Sequence, residues 1–150
     1  MLKIGLKIAV TSFFVACGSS AFALDIQSCE DYGVSLNQVT QMRAYGNESI
    51  KVFAIDQVEP AAAAVGIAVT IDRGVDLSTA ESFCRYVWGL SAADLKQARS
   101  EYDEITGLLT VEIPVQSFSD EAGDFVSGLL TLVINKGARS ERGLVRATLR

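Results

Sequence analysis

The sequence predicts an α+β domain in which a mostly antiparallel sheet of about five to seven strands carries one short helix on a face. Several stretches alternate apolar and polar residues, which predicts strands, and one stretch repeats its apolar residues with a helical period. The chain has 150 residues and no internal repeat, linker or break in composition. These features predict a single domain.

The helix is predicted over residues 79–88. Ser78 and Glu81 form a capping box, in which the two side chains can satisfy free backbone amides at the start of a helix. Apolar residues then recur at positions i, i+3, i+4 and i+7 over residues 80–87, which places them in one stripe. Gly89 is typical of a helix end. Cys84 is expected on the buried face of this helix.

Seven strands are predicted from alternation or from enrichment in β-branched residues. They are residues 39–45, 50–55, 65–71, about 97–103, 108–115, 125–135 and 144–150. Pro114 has no backbone N–H, so it is expected at a sheet edge or a bulge. Gly128 is expected at a bulge or bend.

Two segments fit both helix and strand. In residues 36–45 the apolar spacing fits one side of a helix, but Gly46-Asn47 favours a two-residue turn that joins two strands. In residues 92–102 a helix fits the capping box formed by Ser91 and Asp94, but residues 102–108 have the pattern of a hairpin turn with Gly107 at the bulge position. Here we favour a helical turn over residues 91–96, followed by a strand.

The N-terminal segment has the three parts of a secretory signal peptide. Two lysines precede an apolar run over residues 8–16, and residues 21–23 (AFA) have the form of a cleavage site. Cleavage would remove residues 1–23 and leave residues 24–150 as the mature domain. The short leader is typical of bacteria, so we expect a periplasmic protein.

Membrane attachment is a minority alternative. Ala16-Cys17 fits the lipidation site of a bacterial lipoprotein loosely, because Phe14 stands where leucine is usual. The uncharged stretch over residues 8–24 is shorter than the roughly 20 residues of a spanning helix. No later apolar run reaches that length, so no transmembrane span is expected after cleavage.

The cysteines predict one disulfide. Of the three cysteines, Cys29 and Cys84 would remain after cleavage, and an even number in an oxidising compartment favours a bridge. A loop of this length gives a stabilisation of about 4 kcal/mol in the chain-entropy model. A redox role is disfavoured because the pair is not C-x-x-C.

Composition excludes several classes of function. The chain has no histidine, so Ser-His-Asp and Cys-His catalysis and histidine-ligated metals are excluded. The formal net charge of −5 argues against nucleic-acid binding, which normally needs a basic face. No phosphate-binding or dinucleotide motif occurs, so no cofactor is expected.

The C-terminal segment is basic, in contrast to the rest of the chain. We predict it as a weak docking stripe for an anionic envelope component or an acidic protein face. The competing explanation, which we favour, is an edge strand whose outward charges prevent pairing with other edges. The candidate residues are Lys136, Arg139, Arg142, Arg146 and Arg150.

Two groups of acidic residues are candidate sites. The loop over residues 117–124 contains Ser119, Asp120, Glu121 and Asp124, which could supply oxygen ligands to Ca²⁺, but a solvated hairpin loop is the simpler interpretation. Hydrolysis by paired carboxylates would have to draw on scattered residues. These are Glu101, Asp103, Glu104 and Glu112. We expect neither a metal nor a catalytic residue.

The leading hypothesis is therefore a small exported module that binds another envelope protein without catalysis. The alternative is a carrier that holds a small apolar ligand between the predicted helix, residues 79–88, and the sheet. A carboxylate-dependent hydrolase is a distant third.

Overall fold

In the computed structural model, residues 21–58, 61–72, 82–135 and 143–150 are described. Strands make up 64% of these residues, which contain no α-helix and two short 3₁₀ turns, Leu36–Gln38 and Ala61–Ala63. The strands are β1 Phe22–Ala23, β2 Gln27–Ser28, β3 Val39–Tyr45, β4 Ile50–Asp56, β5 Val65–Asp72, β6 Ser82–Leu90, β7 Ala92–Ala93, β8 Arg99–Asp103, β9 Leu108–Ser119, β10 Asp124–Asn135 and β11 Leu144–Leu149.

The strands form two antiparallel sheets that face each other. The five-stranded sheet has the order β2-β6-β5-β4-β3, and the six-stranded sheet has the order β1-β11-β10-β9-β7 with β8 also paired to β9. The main core lies between them and joins residues such as Val52 and Val69 of the first sheet to Val111 and Leu132 of the second. The described part of the chain is therefore a β-sandwich.

The outer face of the five-stranded sheet is also covered. Phe53, Ile55, Ala68 and Tyr86 form a second buried cluster there, packed under the segment that starts at Cys29. The predicted disulfide is confirmed, since Cys29 is bonded to Cys84 with their Cα atoms 5.4 Å apart. The bond fastens this covering segment to β6 and agrees with an exported protein.

The α+β prediction is wrong, because the predicted helix over residues 79–88 is replaced by strand from Ser82 onward. Residues 79–81 and the capping Ser78 lie outside the described residues. β6 pairs with β5 on one side and β2 on the other, and its Tyr86 and Val87 are buried on opposite faces. A strand that is buried on both faces carries apolar residues at consecutive positions. Such a run also contains apolar residues at i, i+3 and i+4, which is the spacing that predicted a helix here.

The helical turn predicted over residues 91–96 is also wrong. Ala92–Ala93 forms β7, and the residues that follow form a short turn whose outer contacts are with side chains from β3. The Gln41 amide donates to the Ala93 carbonyl and accepts from the Leu95 amide, at 3.0 and 2.9 Å. The Arg43 guanidinium donates to the carbonyls of Leu95 and Ala98. These contacts span more than 50 residues of sequence, so local signals could not indicate them.

The other predicted strands lie close to their expected positions. Residues 39–45 are β3, as favoured, but β3 joins β4 through residues 46–49 rather than through a two-residue turn. On one edge, β9 pairs with β8 up to Glu112 and with β7 from Val115 onward, and Pro114 lies between these two pairings. Its missing backbone N–H therefore removes no strand-pairing hydrogen bond on that edge. Gly128 pairs with Val115 without a bulge, and a Cβ there would lie 2.8 Å from the Arg150 carbonyl oxygen.

Candidate interaction surface

The hairpin of β9 and β10 extends beyond the sandwich. Both strands are twelve residues long, but their buried residues end at Val115 and begin again at Leu130. Every residue from 116 to 127 is at least partly exposed. We call residues 116–127 the β9–β10 arm. Its four strand pairs, from Ser127↔Gln116 to Asp124↔Ser119, extend it by about 13 Å at the rise of an antiparallel strand.

The arm ends in a well-defined turn. The Gly123 amide donates to the Ser119 carbonyl at 2.8 Å, and the Ala122 amide donates to the Ser119 hydroxyl at 3.2 Å. Gly123 has a φ of 65°, a conformation that residues with a side chain rarely adopt. The turn thus fixes the register of the two arm strands.

Exposed aromatic rings lie on the arm. Phe118 and Phe125 are directly opposite each other, with centroids 5.6 Å apart in an edge-to-face arrangement. They are 42% and 45% exposed, and Val126 on the other side of β10 is 40% exposed. The arm also carries Asp120, Glu121 and Asp124 and no basic residue. It combines an apolar pair with a negative tip, a chemistry suited to an apolar pocket with a basic rim.

The hairpin of β8 and β9 has a similar turn without the aromatic pair. The Gly107 amide donates to the Asp103 carbonyl at 2.8 Å, as Gly123 does to Ser119. Tyr102 is 59% exposed and Ile105 is 97% exposed. This hairpin offers exposed apolar groups on a matched backbone, which makes it a useful control for the arm.

The predicted basic stripe is only partly described. Lys136, Arg139 and Arg142 lie outside the described residues. Arg146 is exposed on β11, and the guanidinium of Arg150 donates to the Glu112 carboxylate at 2.9 Å. Arg150 therefore already has an anionic partner within the chain. Arg146 forms no ion pair with another described residue. The docking stripe stays a prediction.

Two of the four candidate carboxylates, Asp103 and Glu112, have structural partners. Asp103 accepts hydrogen bonds from the backbone of Ile105 and from the backbone and hydroxyl of Thr106. The Thr106 hydroxyl, followed by these backbone amides, lowers the pKa of Asp103. A general acid needs a raised pKa. Glu112 is paired with Arg150. This arrangement lends no support to the hydrolase hypothesis.

The acidic loop does not form a metal centre. Among the described residues, no group of three or more histidine, cysteine, aspartate or glutamate side chains is placed to hold a metal ion. One Asp124 carboxylate oxygen instead accepts from the Phe125 amide at 2.7 Å. The calcium hypothesis for residues 117–124 therefore gains nothing from the geometry.

Two open grooves lie on the surface. One of about 380 Å³ runs along β3 and is lined by residues 40–43 with Leu95 and Lys96. The other, of about 340 Å³, lies where β7 meets the base of the arm. The carrier hypothesis placed its ligand between a helix over residues 79–88 and the sheet. From Ser82 onward this segment is the strand β6, so the predicted helix does not form one side of a ligand cavity.

The predicted cleavage site lies at the edge of the six-stranded sheet. Phe22 and Ala23 form β1 and pair with Leu149 and Thr148 of β11. The next residue, Leu24, donates its backbone amide to the Ala147 carbonyl at 2.9 Å. Cleavage after Ala23 would remove β1 and keep the Leu24 contact. No helix in the described ranges is long and apolar enough to cross a membrane.

Sequence inspection missed the aromatic pair. Phe118 is one residue before Ser119, and Phe125 is one residue after Asp124, so the two are symmetric about the turn over residues 120–123. In a hairpin this symmetry places them opposite each other. The symmetry was visible, but only the structure shows that the other sheet ends before it reaches them.

Comparison of this chain with family models, with curated proteins and with solved structures finds no match.

Proposed function

We propose that this protein is a small exported module that binds another protein of the cell envelope through its β9–β10 arm, without catalysis. Export rests on the N-terminal segment with its AFA site, and the Cys29–Cys84 disulfide agrees with it. Processing after Ala23 and a periplasmic location belong to this proposal.

The proposal rests on the two exposed aromatic rings of the arm, which lie beyond the sandwich. Phe118 and Phe125 contact each other but are close to half exposed, although a core pair of phenylalanines would be buried. Aromatic residues on a rigid, projecting element are typical of interface anchors. The three carboxylates near the tip favour a partner whose pocket is rimmed by lysine or arginine.

A double variant tests the arm. Phe118→Ser with Phe125→Ser removes both rings from a solvent-exposed hairpin, and Tyr102→Ser with Ile105→Ser does the same on the matched β8–β9 hairpin. We expect the arm variant to lose crosslinks to one envelope protein and the control variant to keep them. Crosslinks are formed in intact cells by a photoreactive residue at position 126, on the arm but outside the ring pair.

Both variants should keep the melting temperature of the original protein within a few degrees, because neither removes a buried side chain. Equal crosslinking by the two variants would contradict the proposal. A mass that retains Phe22 in protein purified from the envelope would contradict the proposed processing.

A further inference from the structure

The peptide bond at which the leader would be cut is held within the folded sheet. β1, which ends at Ala23, pairs antiparallel with residues 148–149 of β11. The amide of the next residue, Leu24, donates to the Ala147 carbonyl at 2.9 Å and continues the same pairing. The bond between Ala23 and Leu24 therefore has backbone contacts to β11 on both of its sides.

The hydrogen-bond pattern of β11 shows which of its amides faces β1. On the side of β10, Leu129 and Arg150 exchange both of their backbone hydrogen bonds, at 2.8 and 3.1 Å. Hydrogen-bonded and non-hydrogen-bonded positions alternate along an antiparallel pair, so the neighbouring Leu149 directs its amide away from β10. Its partner on the other side is Phe22. The Leu149 amide is thus placed to hold the residue just before Ala23.

The chain that follows the bond is fixed more firmly. Leu24 and Ile26 are partly buried and pack against the main core. Gln27–Ser28 is β2, which pairs with β6, and the next residue, Cys29, is bonded to Cys84. Core packing, strand pairing and a covalent bond thus follow one another within six residues after the cleavage site.

The side chains that identify the site are exposed, but its backbone is not free. Residues 21–23 are all exposed, and Phe22 is 65% exposed. A protease cuts a segment that has opened locally, so its rate follows the fraction of molecules in which the segment is open. Opening here must break the pairing with β11 and withdraw Leu24 from the core. The open fraction is therefore small.

We propose that the folded domain protects its own cleavage site, so that the leader must be removed before β11 pairs with β1. This inference rests on processing after Ala23, which is part of the proposed function. The reaction is a hydrolysis, in which water adds across the bond and leaves a carboxylate on Ala23 and an amino group on Leu24. β11 is the last strand of the described chain, so a leader cut early in export is removed before β11 arrives. A chain that folds first keeps its leader.

A purified bacterial signal peptidase tests the protection. The full chain, folded with its leader attached and its disulfide closed, is compared with a peptide of residues 1–30, which carries the same site without the fold. Cleavage after Ala23, followed by mass spectrometry, should be at least about tenfold slower in the folded chain. Equal rates would overturn the inference and leave the proposed processing intact. A peptide that is not cut after Ala23 would overturn both.

Two substitutions at Leu149 test the role of β11. Leu149→Pro removes the amide that faces Phe22, and proline is tolerated on an edge strand where the missing N–H points away from the sheet. It should speed the cleavage of the folded chain several-fold. Leu149→Ala shortens the same side chain but keeps the amide, so it should change the rate far less.

Thermal unfolding shows that both Leu149 variants are folded before they are cut. Equal cleavage rates for the two variants would overturn the role of β11 in the protection. The comparison of the unmodified chain with the peptide needs no substitution, so it decides the inference even if a variant does not fold.

Discussion

The two sheets share one core but differ in their outer faces. The outer face of the five-stranded sheet is covered, and that of the six-stranded sheet is exposed to solvent. In the six-stranded sheet, β9 alternates between buried and half-buried residues over its first eight positions, because only one face is covered. In the five-stranded sheet, four consecutive residues of β4, from Val52 to Ile55, are all buried. The difference arises because the segment from Cys29 to Val34 covers the outer face of the second sheet. A stretch of about six residues thus determines how polar a whole sheet surface can be.

The covered face has a specific construction. Tyr32 lies over Tyr86 with ring centroids 5.0 Å apart and also reaches Trp88 at 5.8 Å. Tyr86 in turn lies over Gly66 on the neighbouring strand, where a Cβ would overlap the tyrosine hydroxyl. The six-stranded sheet has no such layer over its described outer face, where the Arg150–Glu112 ion pair lies in solvent.

The disulfide gives the largest expected difference between the two faces. Replacing both Cys29 and Cys84 by alanine should lower the free energy of unfolding by about 4 kcal/mol, because the loop between them spans 55 residues. Urea unfolding followed by tryptophan fluorescence measures this, since Trp88 contacts Tyr32 in the covering segment. Chemical reduction of the unmodified protein should give a similar loss. A change below about 1 kcal/mol would mean that the covering segment is held by packing alone.

Gly66 should be the next most sensitive position. Gly66→Ala should lower the free energy of unfolding by about 2 kcal/mol, since the new methyl group overlaps the buried Tyr86 ring and hydroxyl. The same substitution in a Tyr86→Phe background should cost less, because the hydroxyl oxygen is the atom nearest to the new carbon. Equal costs in both backgrounds, from urea midpoints, would show that the ring moves away without strain.

Alkaline pH should act on the covered face. Burial, with a smaller contribution from Tyr32, raises the pKa of Tyr86 from 10.0 to about 12. The side chain of Gln57 lies near the Tyr86 hydroxyl and lowers the pKa slightly, although it does not reach hydrogen-bond geometry. In the unfolded chain Tyr86 ionises first, so the folded state is destabilised as pH rises from 10 to about 12. The loss should be about 2–3 kcal/mol, measured by urea unfolding.

Tyr86→Phe is the control for this pH effect. It should remove most of the difference in stability between pH 9 and pH 12. The remaining slope belongs to other groups, among them Tyr45, whose pKa is also raised by burial and lowered less by Arg43. An unchanged slope in the variant would assign the alkaline sensitivity elsewhere.

The smallest effect is expected on the uncovered sheet. Glu112→Gln removes the ion pair with Arg150, whose two side chains are 37% and 47% exposed. An exposed pair of this kind contributes less than about 1 kcal/mol, and thermal unfolding should shift by only a few degrees. Added salt should have as little effect as the substitution. A larger loss would mean that this outer face is as important to stability as the covered one.

Sequence patterns could not predict that the β9–β10 arm and the edge of β3 are exposed, and the reason is the same for both. Each is defined by where the opposite sheet or a neighbouring strand stops, and this depends on residues distant in the chain. Gln41 and Arg43 hold residues 93–98 from more than 50 positions away. The exposure of Phe118 depends in the same way on where the other sheet ends.

The sequence by itself determined the disulfide and the positions of most strands. Alternation in residues 65–71 and 108–115, and the two cysteines that lie beyond the predicted leader, are local or countable signals. The tertiary structure alone decided that Ser82–Leu90 is a strand, because its hydrogen bonds go to β5 and β2. A sequence pattern reports which faces of an element are buried, and an element buried on two faces loses the periodicity that separates a strand from a helix.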